Sequence, residues 1–148
     1  MADYTERFTE VHSLLISENN PTLPAGVYDT AWVSASQYHR LIAILNVIDM
    51  GAGATLDFSI RQATDTSGTS AKAITGKAAT QLTQASGDVD SDVAIELQTE
   101  ELDVTNGFDC VSLRLTVAVD AVVASCRLYG RVPRYAPVGT TAWTEVVT

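Results

Sequence analysis

The sequence predicts an all-β fold, an antiparallel sandwich or jelly roll in a single domain preceded by an N-terminal arm. Three observations carry this: apolar residues alternate with polar ones in short segments, Gly, Asp, Ser and Pro clusters separate those segments, and helical periodicity is nearly absent between them. At 148 residues the chain suits one domain able to bury roughly two-thirds of its unfolded surface without metal or disulfide.

At the N-terminus Tyr4, Phe8, Val11 and Leu15 follow helical spacing, while Phe8, Glu10, His12, Leu14 and Ile16 fit a strand equally well. "SENNPTLPAG" follows, a linker-like stretch with Pro21 and Pro24. Residues 1–24 are therefore expected to be an arm and linker that order against a partner, and residues 25–148 the sandwich. A first strand is expected in "VYDTAWVSAS". "RLIAILNVIDM" is apolar on both faces, Leu41, Ala43, Leu45 and Val47 on one and Ile42, Ile44 and Ile48 on the other. Such a strand is central, or its second face is covered by a loop or a neighbouring subunit.

"ATLDFSIRQ" alternates Leu56, Phe58 and Ile60 with Asp57, Ser59 and Arg61. "AATQLTQ" reads as a further strand, and "DVAIELQ" alternates through Val93, Ile95 and Leu97. In the closing pair, "FDCVSLRLTVAVD" turns Val111, Leu113, Leu115, Val117 and Val119 inward, and "AVVASCRLYGRV" does so with Val122, Ala124, Cys126, Leu128 and Val132. If these two form a hairpin about Asp120, Cys110 and Cys126 lie on opposite faces. No disulfide is then expected, leaving one buried thiol and one free.

Nine basic against eighteen acidic residues give a net charge of −9, which repels phosphate backbones, so nucleic acid is not an expected partner. No apolar run approaches the ~18 residues of a membrane span. "MADYTERFTEVHSLL" lacks the basic and apolar regions of a secretory signal, and the chain is expected to be made in a cytoplasm.

Four motif look-alikes fail on chemistry. "AKAITGKAAT" has Ala71 where a phosphate loop needs Gly and Ala78 where it needs the Mg²⁺-holding hydroxyl. "DVDSDVAIE" spaces Asp88, Asp90 and Asp92 like a calcium loop, but Val93 and Thr99 occupy the required Gly and Glu positions. In "DTSG" the glycine comes one residue late for an aspartic-protease turn. "GAGATL" has Leu56 in place of the third glycine of a dinucleotide loop. His12 and His39 have no ligand-spaced partner, and Cys126 lies on an apolar face where a thiolate is costly. No catalytic, metal or cofactor site is expected.

The succession "WVSASQYHRLIAILNVIDMGAGATLDFSIRQATDTSGTSAKAITGKAATQL", "IELQTEELDVTNGFDCVSLRLTV" and "YGRVPRYAP", over roughly residues 30–137, resembles a family of small tailed-phage virion proteins, the capsid decoration or cement proteins. The resemblance implies a non-enzymatic protein on the outer surface of the head, bound to the major capsid protein and self-associated as a trimer. It also makes Lys72 and Lys77 solvated or interface charges. Residues expected at capsid or protomer interfaces are Tyr4, Phe8, Val11, Leu15, Ile44 and Trp143. The alternative is a receptor- or glycan-binding sandwich on head or tail, with Trp32, Trp143 and Tyr135 as contacts.

Overall fold

The computed structural model describes residues 7–135 and 143–147. A helical turn, α1 (Phe8–Val11), leads into β1 (His12–Leu23), β2 (Gly26–Asp29), β3 (Val33–Ser34), β4 (Tyr38–Met50) and β5 (Thr55–Ala63). These are followed by β6 (Lys72–Ala78), β7 (Leu82–Thr83), β8 (Asp92–Gln98), β9 (Cys110–Ala118) and β10 (Val122–Pro133). One sheet has four strands in the order β1-β10-β4-β8; the other follows β2-β9-β5-β6, with β3 added on β9 and β7 on β5.

Apart from the two-residue strands β3 and β7, the pairing is that of one long antiparallel ribbon rolled into two layers. β1 pairs with β10, β2 with β9, β4 with β8 and β5 with β6. This is the jelly-roll arrangement, so the fold class is as expected.

Between the layers lies the core. Leu41, Ala43, Leu45 and Val47 of β4 and Ala124, Cys126 and Leu128 of β10 face Leu56, Phe58 and Ile60 of β5 and Val111, Leu113, Leu115 and Val117 of β9. The period-two sets read from the sequence are the sets that point inward, with two exceptions at the strand ends. Val119 and Val132 are instead 74% and 45% exposed, and both have positive φ, +74° and +52°. Val119 follows the last residue of β9, and Val132 lies just past the last pair between β10 and β1.

Three expectations are corrected. The first concerns the arm: residues 12–23 are β1, an edge strand paired with β10 along its length, with Ile16 and Leu23 in the core. Leu15 occupies a bulge between Leu14 and Ile16, which breaks the strict alternation and accounts for the mixed periodicity of this segment. The strand reading of "HSLLI" is the one realised, and no linker separates it from the sandwich. The second is the closing hairpin, which does not form. β9 lies in the larger sheet and β10 in the smaller, because in a rolled ribbon consecutive strands cross between layers.

That crossing lies beside the one from β4 to β5. The Gly51 N–H donates to the Ala121 carbonyl at 2.8 Å, and a Cβ on Gly51 would lie 2.5 Å from Asp120 Cγ, so the two corners nest only with glycine there. The third correction is Cys110. It is 4% exposed, so both thiols are buried and free. Burial pushes the Cys110 thiol up to about 11 and that of Cys126 to about 12.

The look-alike motifs resolve into structural parts. "AKAITGKAAT" contains the edge strand β6, with Gly76 at φ +76°. Lys77 reaches across to the other sheet, donating to the Glu96 carbonyl at 2.8 Å and pairing with Glu101 at 2.9 Å. Lys72 pairs with Asp103 and lies over the Phe108 ring at 3.9 Å. These lysines clasp the open side of the sandwich rather than standing free in solvent. Asp65 of "DTSG" accepts from the Ser67 and Thr69 N–H groups, closing an Asx turn. In the acidic loop Asp88 accepts from the Thr83 N–H and Asp92 from the Asn46 amide. Among the described residues no group of three or more His, Cys, Asp or Glu is placed to hold a metal.

Arg114 grips Asp29 across β2 and β9 at 2.7 and 2.6 Å, and this bidentate contact holds the Asp29 carboxyl below its usual value. A carboxyl with a lowered folded-state pKa stabilises the fold above its unfolded pKa, and that contribution is lost as pH falls through the folded value. Asp29→Asn is expected to lower stability at neutral pH by less than about 1 kcal/mol, the pair being partly exposed. Its deficit relative to wild type should begin to shrink as pH falls below about 4, near the unfolded value, and close only below the lowered folded value. Melting curves of the two proteins from pH 7 to pH 3 check this, and a deficit that stays constant across that range would assign the effect to packing.

Candidate functional site

Directly opposed residues of antiparallel strands share a face, so the register of the four-stranded sheet defines its outer surface row by row. The first row is His12, Arg131, Arg40 and Gln98, and the second Leu14, Tyr129, Ile42 and Glu96. The third is Ser17, Arg127, Ile44 and Ala94, and the fourth Asn19, Ser125, Asn46 and Asp92. The surface is therefore graded: two opposed arginines at one end, a centre where Leu14, Tyr129, Ile42 and Ile44 stand beside Glu96 and Arg127, and amide and carboxylate at the other.

The sequence builds this by continuing period two on the second face. "RLIAIL" sends Arg40, Ile42 and Ile44 outward, and "RLYGR" sends Arg127, Tyr129 and Arg131 outward. Ile42, Ile44 and Tyr129 remain half-buried, and Ile48, in the register shift beyond them, is 49% exposed. Part of the face is covered by the chain itself. Trp143 tilts against Tyr129 with ring centroids 6.1 Å apart, and its buried Nε1 finds no acceptor among the described residues. Leu14 in the same row is 4% exposed.

At the cationic end, Arg40 and Arg131 oppose each other, both exposed and with no ion pair among the described residues. Beside them a groove of about 490 Å³ is lined by Arg40, Arg131, Lys77, Glu96 and Glu101 with the apolar Ile42 and Val132. A second hollow adjoins it through Arg40 and Gln98 and reaches Arg134 and Val104. Arg134 is oriented by its bond to the Ser36 carbonyl at 2.7 Å.

Of the residues expected at interfaces, Ile44 and Trp143 share this outer face. Phe8 stands at its edge, 62% exposed and stacked on His12 with centroids 4.1 Å apart. Val11 is half-buried in the same helical turn. Leu15 packs on the core and is not a free anchor. Tyr4 lies outside the described residues. The aromatic residues weighed for glycan binding do not gather: Trp32 lies against Gly68 beside the larger sheet, whereas Trp143 lies on the smaller. Sequence reasoning missed the Arg40–Arg131 juxtaposition, because it depends on the register between two strands distant in sequence.

No protein-family profile matches the sequence, and no curated protein matches it. Among solved structures the chain is similar to one in the cryo-EM atomic structure of Broad Bean Stain Virus, at 10% identity over 99% of both chains with a TM-score of 0.47. It is also similar to one in the structure of infectious bursal disease virus Gx strain, at 15% identity over 87% of this chain with a TM-score of 0.41. The match spans 32% of that second chain. The fold class rests on the strand pairing and not on these distant likenesses. What pairing and surface define together is a jelly-roll sandwich with one sheet's outer face partly apolar.

Proposed function

We propose that this chain is a non-enzymatic structural protein of a virion, of the capsid decoration kind, that grips the head through the outer face of its four-stranded sheet. The observation that carries the reading is the second apolar face of β4. Ile42 and Ile44 lie in the middle of a sheet whose other side already forms the core, and Ile48 is open to solvent beside them. A monomer gains little from aliphatic residues there; a flat partner surface gains a desolvated centre with a polar rim. The resemblance over residues 30–137 to tailed-phage decoration proteins supplies the partner, the major capsid protein, and the outer surface of the head as the location. A jelly roll suits the task because its paired ladders present a rigid face, so little ordering cost is met on binding.

The test is co-sedimentation of purified chain with heads that lack it. Wild type is expected to pellet to saturation. Ile44→Asp, which places a charge in the centre of the face, should remain folded by circular dichroism and stay in the supernatant. Saturation of heads by a folded Ile44→Asp protein would show that this face does not grip the head.

A further inference from the structure

The two ends of the four-stranded sheet differ in a way the monomer does not explain. At the corner end, Asp49, Asp88, Asp90, Asp92 and Asp120 gather on residues 46–57, 84–92 and 117–124, stretches that contain no lysine or arginine. The register places them together: Asp49 opposes Val123, the Gly51 N–H bonds Ala121, the Val47 N–H bonds Ser91, and Asn46 opposes Asp92. Among these carboxylates stand two exposed aliphatic side chains, Ile48 and Val119.

Val119 is the odder of the two. A β-branched residue at φ +74° is strained, and Asn or Gly would fill the position at lower cost. Yet it is 74% exposed, with a methyl 3.6 Å from where a Cβ on Gly53 would lie. At the opposite end, Arg40 and Arg131 repel across β4 and β10, which costs stability unless an anion lies between them. The groove beside them offers Ile42 and Val132 as apolar lining.

We propose that the chain associates head to tail with a second copy of itself, the Val119 corner of one copy seating in the groove rimmed by Arg40 and Arg131 of the next. The aliphatic tip meets the apolar lining, and the surrounding aspartates meet the two opposed guanidiniums, with Arg134 alongside. The opposed guanidiniums gain carboxylates beyond Glu96 and Glu101 of the groove itself, the latter already engaged by Lys77, and a strained exposed valine gains burial. Because Arg40 and Asp49 mark the two ends on one strand, β4, the two patches lie roughly 30 Å apart, so the contact is heterologous and closes into a ring or extends as a row. This does not rest on the virion reading, since it concerns the purified chain alone.

Sedimentation velocity over a concentration series tests it. Wild type is expected to associate reversibly, with the dissociation constant rising at least tenfold between low salt and 0.5 M salt as the charges are screened (on the order of a Debye length of 10 Å at 0.1 M). Arg40→Glu/Arg131→Glu is expected to be monomeric. Val119→Asn should weaken association at least tenfold while its melting temperature stays level or rises, an effect that a purely structural role of Val119 would not produce. Mixing these two variants should give one-to-one heterodimers, because the first keeps its corner and the second its groove; an interface made by one patch with itself would give none. Wild type that stays monomeric at low salt, or a Val119→Asn protein that associates like wild type, would overturn the proposal. Monomeric wild type whose head binding is lost in the arginine variant would assign the groove to a head subunit instead.

Discussion

Deletion of residues 1–18 is expected to unfold the protein. The segment removed includes most of β1, with Leu14 and Ile16 buried, and the ladder that pairs His12 through Glu18 with the second half of β10. Burial of the two aliphatic side chains alone is worth about 2–3 kcal/mol each. Loss of the ladder also bares the unpaired edge of β10, a strand whose inner face holds Ala124, Cys126 and Leu128 against the core. The total is comparable with the whole stability of a domain of this size, about 5–15 kcal/mol. Deletion of residues 1–7 leaves β1 and its ladder in place and serves as the comparison for the longer deletion. Thermal melts by circular dichroism decide the matter: a cooperative transition near the wild-type temperature in the longer deletion would mean that the ribbon closes without its first strand.

Phe58→Ala is expected to cost about 3–5 kcal/mol. Phe58 is 1% exposed on β5, the central strand of the larger sheet, and is the largest of the fully buried side chains. It projects between the layers where β4 and β10 face β9, so its loss leaves a cavity that rigid ladders on both sides cannot close. Urea denaturation should show a lowered midpoint with an unchanged slope. A loss below about 1 kcal/mol would imply that the two sheets slide together to fill the space, at odds with the corner packing at Gly51 and Asp120.

Both results turn on the same feature of the fold, that strands distant in sequence are neighbours in the sheets. Individual strands were legible because each alternates locally: Leu56, Phe58 and Ile60 announce β5 with no knowledge of their partners, and so do Ile95 and Leu97 in β8. What alternation does not carry is who pairs with whom. β9 and β10 look like a hairpin because Asp120 sits between two alternating runs, yet corner packing sends them to different sheets. β1 was ambiguous for a local reason, the bulge at Leu15, which sets three apolar residues in succession and imitates helical spacing. "AATQLTQ" yields only Leu82–Thr83, and the longer strand lies upstream in "KAITGKA", where Lys and Thr on an exposed edge hide the pattern.

The surface was partly legible. The isoleucines of β4 showed in the sequence as a second apolar face, and Ile44 was singled out from them. Tyr129 and the arginine pair were not, since their meaning comes from the row in which the register places them. Trp143 is expected from the sequence at a capsid or protomer interface; the contact its ring makes in the structure is with Tyr129 of its own chain.

The measurement that bears most directly on a decoration role is the copy number of this chain relative to the major capsid protein in purified particles, by quantitative mass spectrometry or calibrated gel densitometry. A decoration protein that grips repeated lattice sites through the Ile42 and Ile44 face is expected at a fixed ratio near the number of those sites, hundreds of copies per head, with the ratio lost in particles carrying Ile44→Asp. A handful of copies per particle, unchanged by that substitution, would contradict it.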